Sequence, residues 1–209
     1  MVSDPNADFF NKKAITFGDS PKALDWSSSR TQKIRFRVLS EIGQLEGKRI
    51  LDVGCGLADF YDFLRKNHIN VEYTGIDVSE KLILLAKKKY PEINVRVSDV
   101  MTDMKLKRYD YVFGSGIHNL KLSDSKQRLK DILQRMFELC FIGAATNMLN
   151  IWYKEKNRIA DHIYLADPIE IINYCRSITD YFLFRTDYLP NDFTLFLYRK
   201  DFMERSFEI

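Results

Sequence analysis

The chain has 209 residues, 45% of them hydrophobic and 29% charged, with a formal net charge of +3. That length suits one domain with a sizeable core, and so small a charge gives no sign of a nucleic-acid surface. No apolar run approaches the ~20 residues that cross a bilayer, and the polar stretch from Met1 to Ser20 holds no signal-peptide core. Cys55, Cys140 and Cys175 are scattered, with neither paired nor metal-type spacing. Free thiols, a cytoplasmic location and no metal site are therefore expected.

Residues 1–29 read as a polar arm. Ile34, Val38, Leu39, Ile42 and Leu45 then recur at helical spacing. Residues 50–53 form a short buried strand running through Asp52 into Gly54-Cys55-Gly56, and Phe60, Phe63 and Leu64 mark the helix behind it. Residues 71–77 read as a second strand, followed by a helix that Ser79 can cap and Pro91 stops. The lysines at 87–89 close that helix, where cations suit its dipole. Residues 95–97 make a third strand, and residues 109–115 a fourth that again ends in small residues. Leu129, Ile132, Leu133, Met136, Phe137 and Cys140 trace an amphipathic helix, and residues 141–148 a fifth strand. Asp167-Pro168 supplies a cap and then proline at the first helical position, for a helix with Ile169, Ile172 and Cys175. Residues 181–185 and 193–198, joined through Leu189-Pro190-Asn191-Asp192, suit an antiparallel hairpin.

This alternation predicts a doubly wound α/β fold. Its sheet is mostly parallel and seven-stranded, with an antiparallel C-terminal hairpin and helices on both faces. Ligands in such sheets bind beyond the carboxyl ends of the strands, beside the first strand. Asp52 with Gly54, Asp77, Asp99 and Ser115 all fall on that edge, so four separate segments converge on one crevice.

Two ligands compete for the glycine turn. A dinucleotide site wants G-x-G-x-x-G/A aimed at a pyrophosphate. Here Leu57 and Ala58 follow the second glycine, and Asp59 stands in the slot of the third small residue. Asp52 and Asp59 would repel a pyrophosphate and tolerate a cation. S-Adenosylmethionine, with an ammonium, a sulfonium and no phosphate, matches that charge pattern.

LDVGCGLADF, residues 51–60, resembles the first motif of the class I (Rossmann-like) S-adenosylmethionine-dependent methyltransferases, with Ala58 as the third small residue. YTGIDVSEKLILLAKKKYP resembles the second motif, VRVSDVM the third and YDYVFGSGIHNL the fourth. The terminal hairpin matches the reversed strand pair that closes this fold. GDSPKALDWSSSRTQKIRF, upstream, resembles a group of small bacterial methyltransferases of unassigned substrate. The resemblance implies an arm over residues 1–29 packing on the active site, one cofactor-binding domain over 30–200, and a tail over 201–209.

It also implies roles. The backbone of Gly54, Cys55 and Gly56 lies along the methionine part of the cofactor, and Asp52 orders that turn and approaches the ammonium. Asp77 accepts from both ribose hydroxyls, with Val78 against the adenine; Asp99 accepts from the adenine amino group, beside Val100. Ser115 and Gly116 carry backbone groups to the methionine end. Asp77 stands on general chemistry too, because a strand-end carboxylate about 20 residues past a glycine turn reads a vicinal diol.

His118, just past the fourth strand, is the candidate general base where the acceptor carries a proton; its plain alternative is a loop histidine bonded to backbone. Arg35 is a candidate partner for the cofactor carboxylate, against a surface charge on an amphipathic helix. Trp26, Asn147, Tyr153 and His162 are candidates for the acceptor pocket, and Asn147 reads equally as a strand-end cap. The expected function is in-line methyl transfer to a small-molecule acceptor, a metabolite or sugar precursor, since little chain lies beyond the core fold to grip a macromolecule. Rivals are a protein or RNA methyltransferase, a catalytically silent binding module and an NAD-dependent oxidoreductase. Residues 115–118 lack the D/N-P-P-Y/F pattern of DNA amino-methylating enzymes, which counts against a nucleic-acid partner. No membrane partner is expected, and the oligomeric state stays open.

Overall fold

The computed structural model describes residues 4–26, 28–155, 157 and 159–200. The expected tail over 201–209 lies outside them. The elements are Pro5–Phe17 (α1), a 3-10 turn at Pro21–Leu24, Ser29–Ser40 (α2), Arg49–Val53 (β1), Asp59–Lys66 (α3), Glu72–Asp77 (β2) and Glu80–Lys89 (α4). Asn94–Val97 (β3), Tyr109–Ser115 (β4), Ser125–Glu138 (α5), Cys140–Leu149 (β5), Pro168–Ile178 (α6), Phe182–Arg185 (β6) and Asp192–Tyr198 (β7) follow.

The sheet has the order β3-β2-β1-β4-β5-β7-β6. The first five of these strands pair in parallel, and β7 runs antiparallel between β5 and β6. The strand order reverses between β1 and β4, so the loops leaving those two strands diverge and open a crevice.

Period-two alternation sorts the core onto two faces. Leu51, Val53 and Val112 pack with Leu133 and Met136 of α5 and Cys175 of α6. Ile50, Tyr111 and Phe113 pack with Phe36 and Leu39 of α2, Phe60 and Leu64 of α3, and Ile83 of α4. The expected caps form: Ser79 Oγ accepts from Leu82 N at 3.2 Å, and Asp167 Oδ1 from Ile169 N at 2.9 Å.

The first segment departs from expectation. Where the sequence reads as a polar arm, Pro5–Phe17 is a helix. Asp4 caps it, its carboxylate accepting from Asn6 N at 2.7 Å, and Pro5 occupies the first turn. Its apolar stripe is narrow: Phe10 and Ala14, four residues apart, pack on Ala23, Leu57 and Leu82. Asn11 ties it to α4, accepting from Ser79 Oγ at 2.8 Å and Lys81 N at 3.1 Å. Tertiary contact thus supplies what a weak periodic pattern does not.

The three cysteines are free and buried. Among the described residues no helix is long and apolar enough to cross a membrane.

Candidate active site at the carboxyl edge of the sheet

The glycine turn after β1 is built on left-handed backbone. Gly54 (φ +66°), Gly56 (φ +53°) and Ala58 (φ +58°) all lie there. A Cβ on Gly54 would also collide with the Ile117 side chain, so both conformation and space require glycine. Ala58 holds the conformation as a non-glycine residue, at a cost of about 1–2 kcal/mol.

Asp77, at the end of β2, braces this turn. One oxygen accepts from Gly56 N at 2.9 Å and the other from Ser79 N at 2.8 Å. Burial pushes the Asp77 carboxyl up to about 6, against the pull of those amides. Burial pushes Asp52 up to about 7, with Asp77 and Asp59 adding repulsion and the Tyr73 hydroxyl, donating at 2.6 Å, opposing. Asp99 accepts from Met101 N at 2.9 Å, which shapes the turn beyond β3.

These segments border a cavity of about 360 Å³ that runs along the sheet edge from Ser98 beyond β3 to Leu149 and Asn191 beside β5 and β7. Of the expected cofactor residues, Asp52, Gly54, Cys55, Asp77, Val78, Asp99, Val100, Ser115, Gly116 and Arg35 face it, as do Trp26 and Tyr153. Gly56 is the exception, with its N–H turned to Asp77. Phe10, Leu24 and Trp26 from the N-terminal segment, with Ile159 and Ile163 from the segment between β5 and α6, form other parts of the wall. Asp25 joins these two segments, accepting from Lys13 Nζ at 2.6 Å and lying 2.7 Å from His162 Nε2.

Several expected roles need correction. His118 is directed away from the crevice into a cavity of about 10 Å³ against Ser125 and Leu129 of α5. Burial pushes it down to about 3, so it stays neutral, and it is poorly placed to take an acceptor's proton. Its Nε2 has no hydrogen-bond partner among the described residues, so the backbone-bonded alternative does not describe that nitrogen either. Asn147 is buried under the turn after β4: its Oδ1 accepts from Gly116 N at 2.9 Å and its Nδ2 donates to Ser115 Oγ at 3.2 Å. It shapes the cavity wall and does not reach through it. His162 packs on Phe9 and binds Asp25, off the wall.

Arg35 is no surface charge. It is buried and forked onto Asp192, Nε to Oδ1 at 2.8 Å and Nη2 to Oδ2 at 2.7 Å, with the Trp26 ring 4.7 Å away. Asp192 was invisible to local reasoning: it opens β7, 157 positions from its partner, and reads as a turn residue. Asn119 also faces the cavity and was missed, since no pattern marks a lone amide in a loop.

The wall is electrically one-sided. Asp25, Asp52, Asp59, Asp77 and Asp99 face the cavity, and the only cations on its described wall are Arg35, paired with Asp192, and Arg128, paired with Asp4 at 3.1 Å. No described lysine lines it. Such a wall suits an adenosyl sulfonium and disfavours a pyrophosphate.

A sequence profile described as a methyltransferase domain matches residues 50–139. Rv1506c of Mycobacterium tuberculosis, provisionally named a methyltransferase, is 26% identical over 131 residues, covering 61% of this chain and 78% of that protein. An O-methyltransferase of Aspergillus nomiae is 30% identical over 100 residues, 48% of this chain but 42% of its own length. The magnesium protoporphyrin IX methyltransferase of Synechocystis, solved with bound S-adenosylhomocysteine, shares the fold. Its TM-score is 0.68 over 93% of this chain and 98% of its own, at 14% identity. These matches, the motifs and the acidic crevice at the sheet's switch point support a class I S-adenosylmethionine-dependent methyltransferase.

Proposed function

We propose that the protein transfers the S-adenosylmethionine methyl group to a small-molecule acceptor by in-line displacement. The observation that carries this reading is the cavity's other wall: α1, Trp26 and the segment between β5 and α6 border the same space as the acidic strand ends. In this reading α1 and the segment from Leu24 to Trp26 roof the active site, which leaves room for a small acceptor and little access for a folded macromolecule.

When bound, the cofactor supplies an electrophilic methyl group on its sulfonium. Asp77 accepts from the ribose hydroxyls while bracing the turn, and Asp99 accepts from the adenine amino group beside Val78 and Val100. Asp52 and the backbone of Gly54 and Cys55 hold the methionine end, with Ser115 and Gly116 opposite. Asp192 occupies the Nε–Nη2 edge of Arg35, and Nη1 is then the group for the cofactor carboxylate. No described histidine lies on the wall. Alignment of acceptor and methyl then supplies much of the acceleration.

The test is calorimetric titration with S-adenosylmethionine, S-adenosylhomocysteine and NAD, followed by assay of S-adenosylhomocysteine release with small-molecule and protein or RNA acceptor pools. Binding of both sulfur compounds but not NAD, with release confined to the small-molecule pool, is expected. Release confined to the macromolecular pool would overturn the acceptor assignment.

A further inference from the structure

Resting on the methyltransferase reading, we propose that Gln32 of α2 is a further cofactor-binding residue, its Oε1 accepting a hydrogen bond from the ammonium of the cofactor's amino-acid end. Gln32 opens the buried stripe of α2 that continues through Arg35, Phe36 and Leu39, and it is only 5% exposed. An amide at such a position needs partners for its polar atoms. Nε2 has one, donating to Asp59 Oδ2 at 3.1 Å. Oε1 has none among the described residues, yet unlike the side-chain oxygens of Asn119 and Asn150 it keeps accessible surface. Gln32 lines the main cavity, so the surface left to that oxygen opens there.

The amide is held in one orientation. The second oxygen of Asp59 accepts from Lys89 Nζ at 2.9 Å, which pins the carboxylate. Turning the amide over would set Oε1 against that carboxylate, acceptor against acceptor. Asp59 heads α3 directly behind the glycine turn, so its bond to Gln32 holds the amide beside that turn. Asp59, standing where a dinucleotide turn has its third small residue, thereby becomes the positioning residue for Gln32.

The neighbouring groups select what Oε1 receives. Arg35 lies about one helical turn further along α2, with Nε and Nη2 taken by Asp192. Its Nη1, like Gln32 Oε1, has no partner among the described residues and keeps accessible surface. One helix face thus presents an acceptor and a cationic donor side by side. An α-amino acid carries the complement, an ammonium donor and a carboxylate acceptor on one carbon. Asp52 and Asp59 on the same wall favour the cation at the oxygen, and an ammonium donates a stronger bond than a neutral group.

Three thioethers with the same adenosine separate the two ends: S-adenosylhomocysteine, its decarboxylated analogue, which keeps the amine, and its deaminated analogue, which keeps the carboxylate. Each is titrated by calorimetry into wild-type protein, Gln32→Met, which removes the acceptor at similar length, and Gln32→Asn, which withdraws the oxygen by one methylene. Both variants are expected to bind the two amine-bearing ligands about tenfold more weakly than wild type does, and the deaminated ligand within about twofold. A merely structural role for Gln32 would not spare the deaminated ligand. A loss shared equally by all three ligands, no loss for any, or a loss confined to the deaminated ligand overturns the proposal. Failure of the wild-type protein to bind S-adenosylhomocysteine instead removes the methyltransferase reading beneath it.

Discussion

Asp77 braces the glycine turn, the proposed function gives it a second duty on the ribose, and substituting it separates the two. Its oxygens already accept from Gly56 N and Ser79 N, and a carboxylate oxygen has a second lone pair to offer a ribose hydroxyl. Bonds to a charged group are worth about 1.5–3 kcal/mol each, so losing one or both weakens cofactor binding by about 10-fold to more than 100-fold. Asp77→Asn keeps one acceptor for the backbone and turns an amide N–H toward the other donor. That leaves one buried N–H unmatched, at about 1–3 kcal/mol. At about 2–4 °C per kcal/mol for a chain of this size, Tm falls by roughly 2–12 °C. Calorimetric titration with S-adenosylhomocysteine at a temperature well below the lowered Tm reads the first effect, and a thermal melt of the ligand-free protein reads the second. A lowered Tm with unchanged affinity would show that Asp77 is only a brace for the glycine turn, and the ribose assignment would fall.

Cofactor affinity should weaken on acidification. Asp52 and Asp77 sit near 7 and 6 because burial opposes their charge, so the ligand-free fold favours their protonated forms. That preference stabilises the empty protein at low pH and is lost as pH rises through those values, whereas a cationic ligand favours the ionised forms. Affinity for S-adenosylmethionine is expected to be about tenfold weaker at pH 6 than at pH 8, with proton release on binding near neutrality visible as a buffer-dependent enthalpy. Tighter binding at pH 6 would contradict this. Asp192→Ala strands the buried Arg35 charge and should cost about 3–5 kcal/mol in denaturant unfolding; a loss under about 1 kcal/mol would mean that the pair is dispensable. His118→Leu removes an unpartnered nitrogen outside the crevice, so neither Tm nor affinity for S-adenosylhomocysteine should fall. A tenfold loss of affinity would return the imidazole to the site.

What the sequence revealed and what it hid divide along the range of the interactions involved. All seven strands were readable, since buried parallel strands and amphipathic helices write their pattern within a dozen residues. The floor of the site was readable for the same reason: Asp52, Asp77, Asp99 and Ser115 each end or just follow a strand, and the parallel order delivers every such end to one edge. α1 was not, because its stability comes from Phe10 and Ala14 meeting Leu82 and from Asn11 meeting Ser79, partners on distant parts of the chain. His118 misled because spacing places a residue's backbone near the edge without saying which way its side chain turns.

The same division explains the Arg35–Asp192 pair. β7 is antiparallel, so its first residue, unlike those of β1 to β5, emerges at the carboxyl edge of the parallel strands. That reversal alone brings an aspartate from the hairpin loop beneath α2, where it meets a guanidinium that helical periodicity treats as one more surface charge. β7 thereby supplies the countercharge that lets an arginine sit buried on the cavity wall. Neutralised in this way, Arg35 can offer its remaining edge to a ligand without imposing a free positive charge on the acceptor space. The acidic strand ends owe their place to the parallel order, and the Arg35–Asp192 pair beside them to the one reversal at β7.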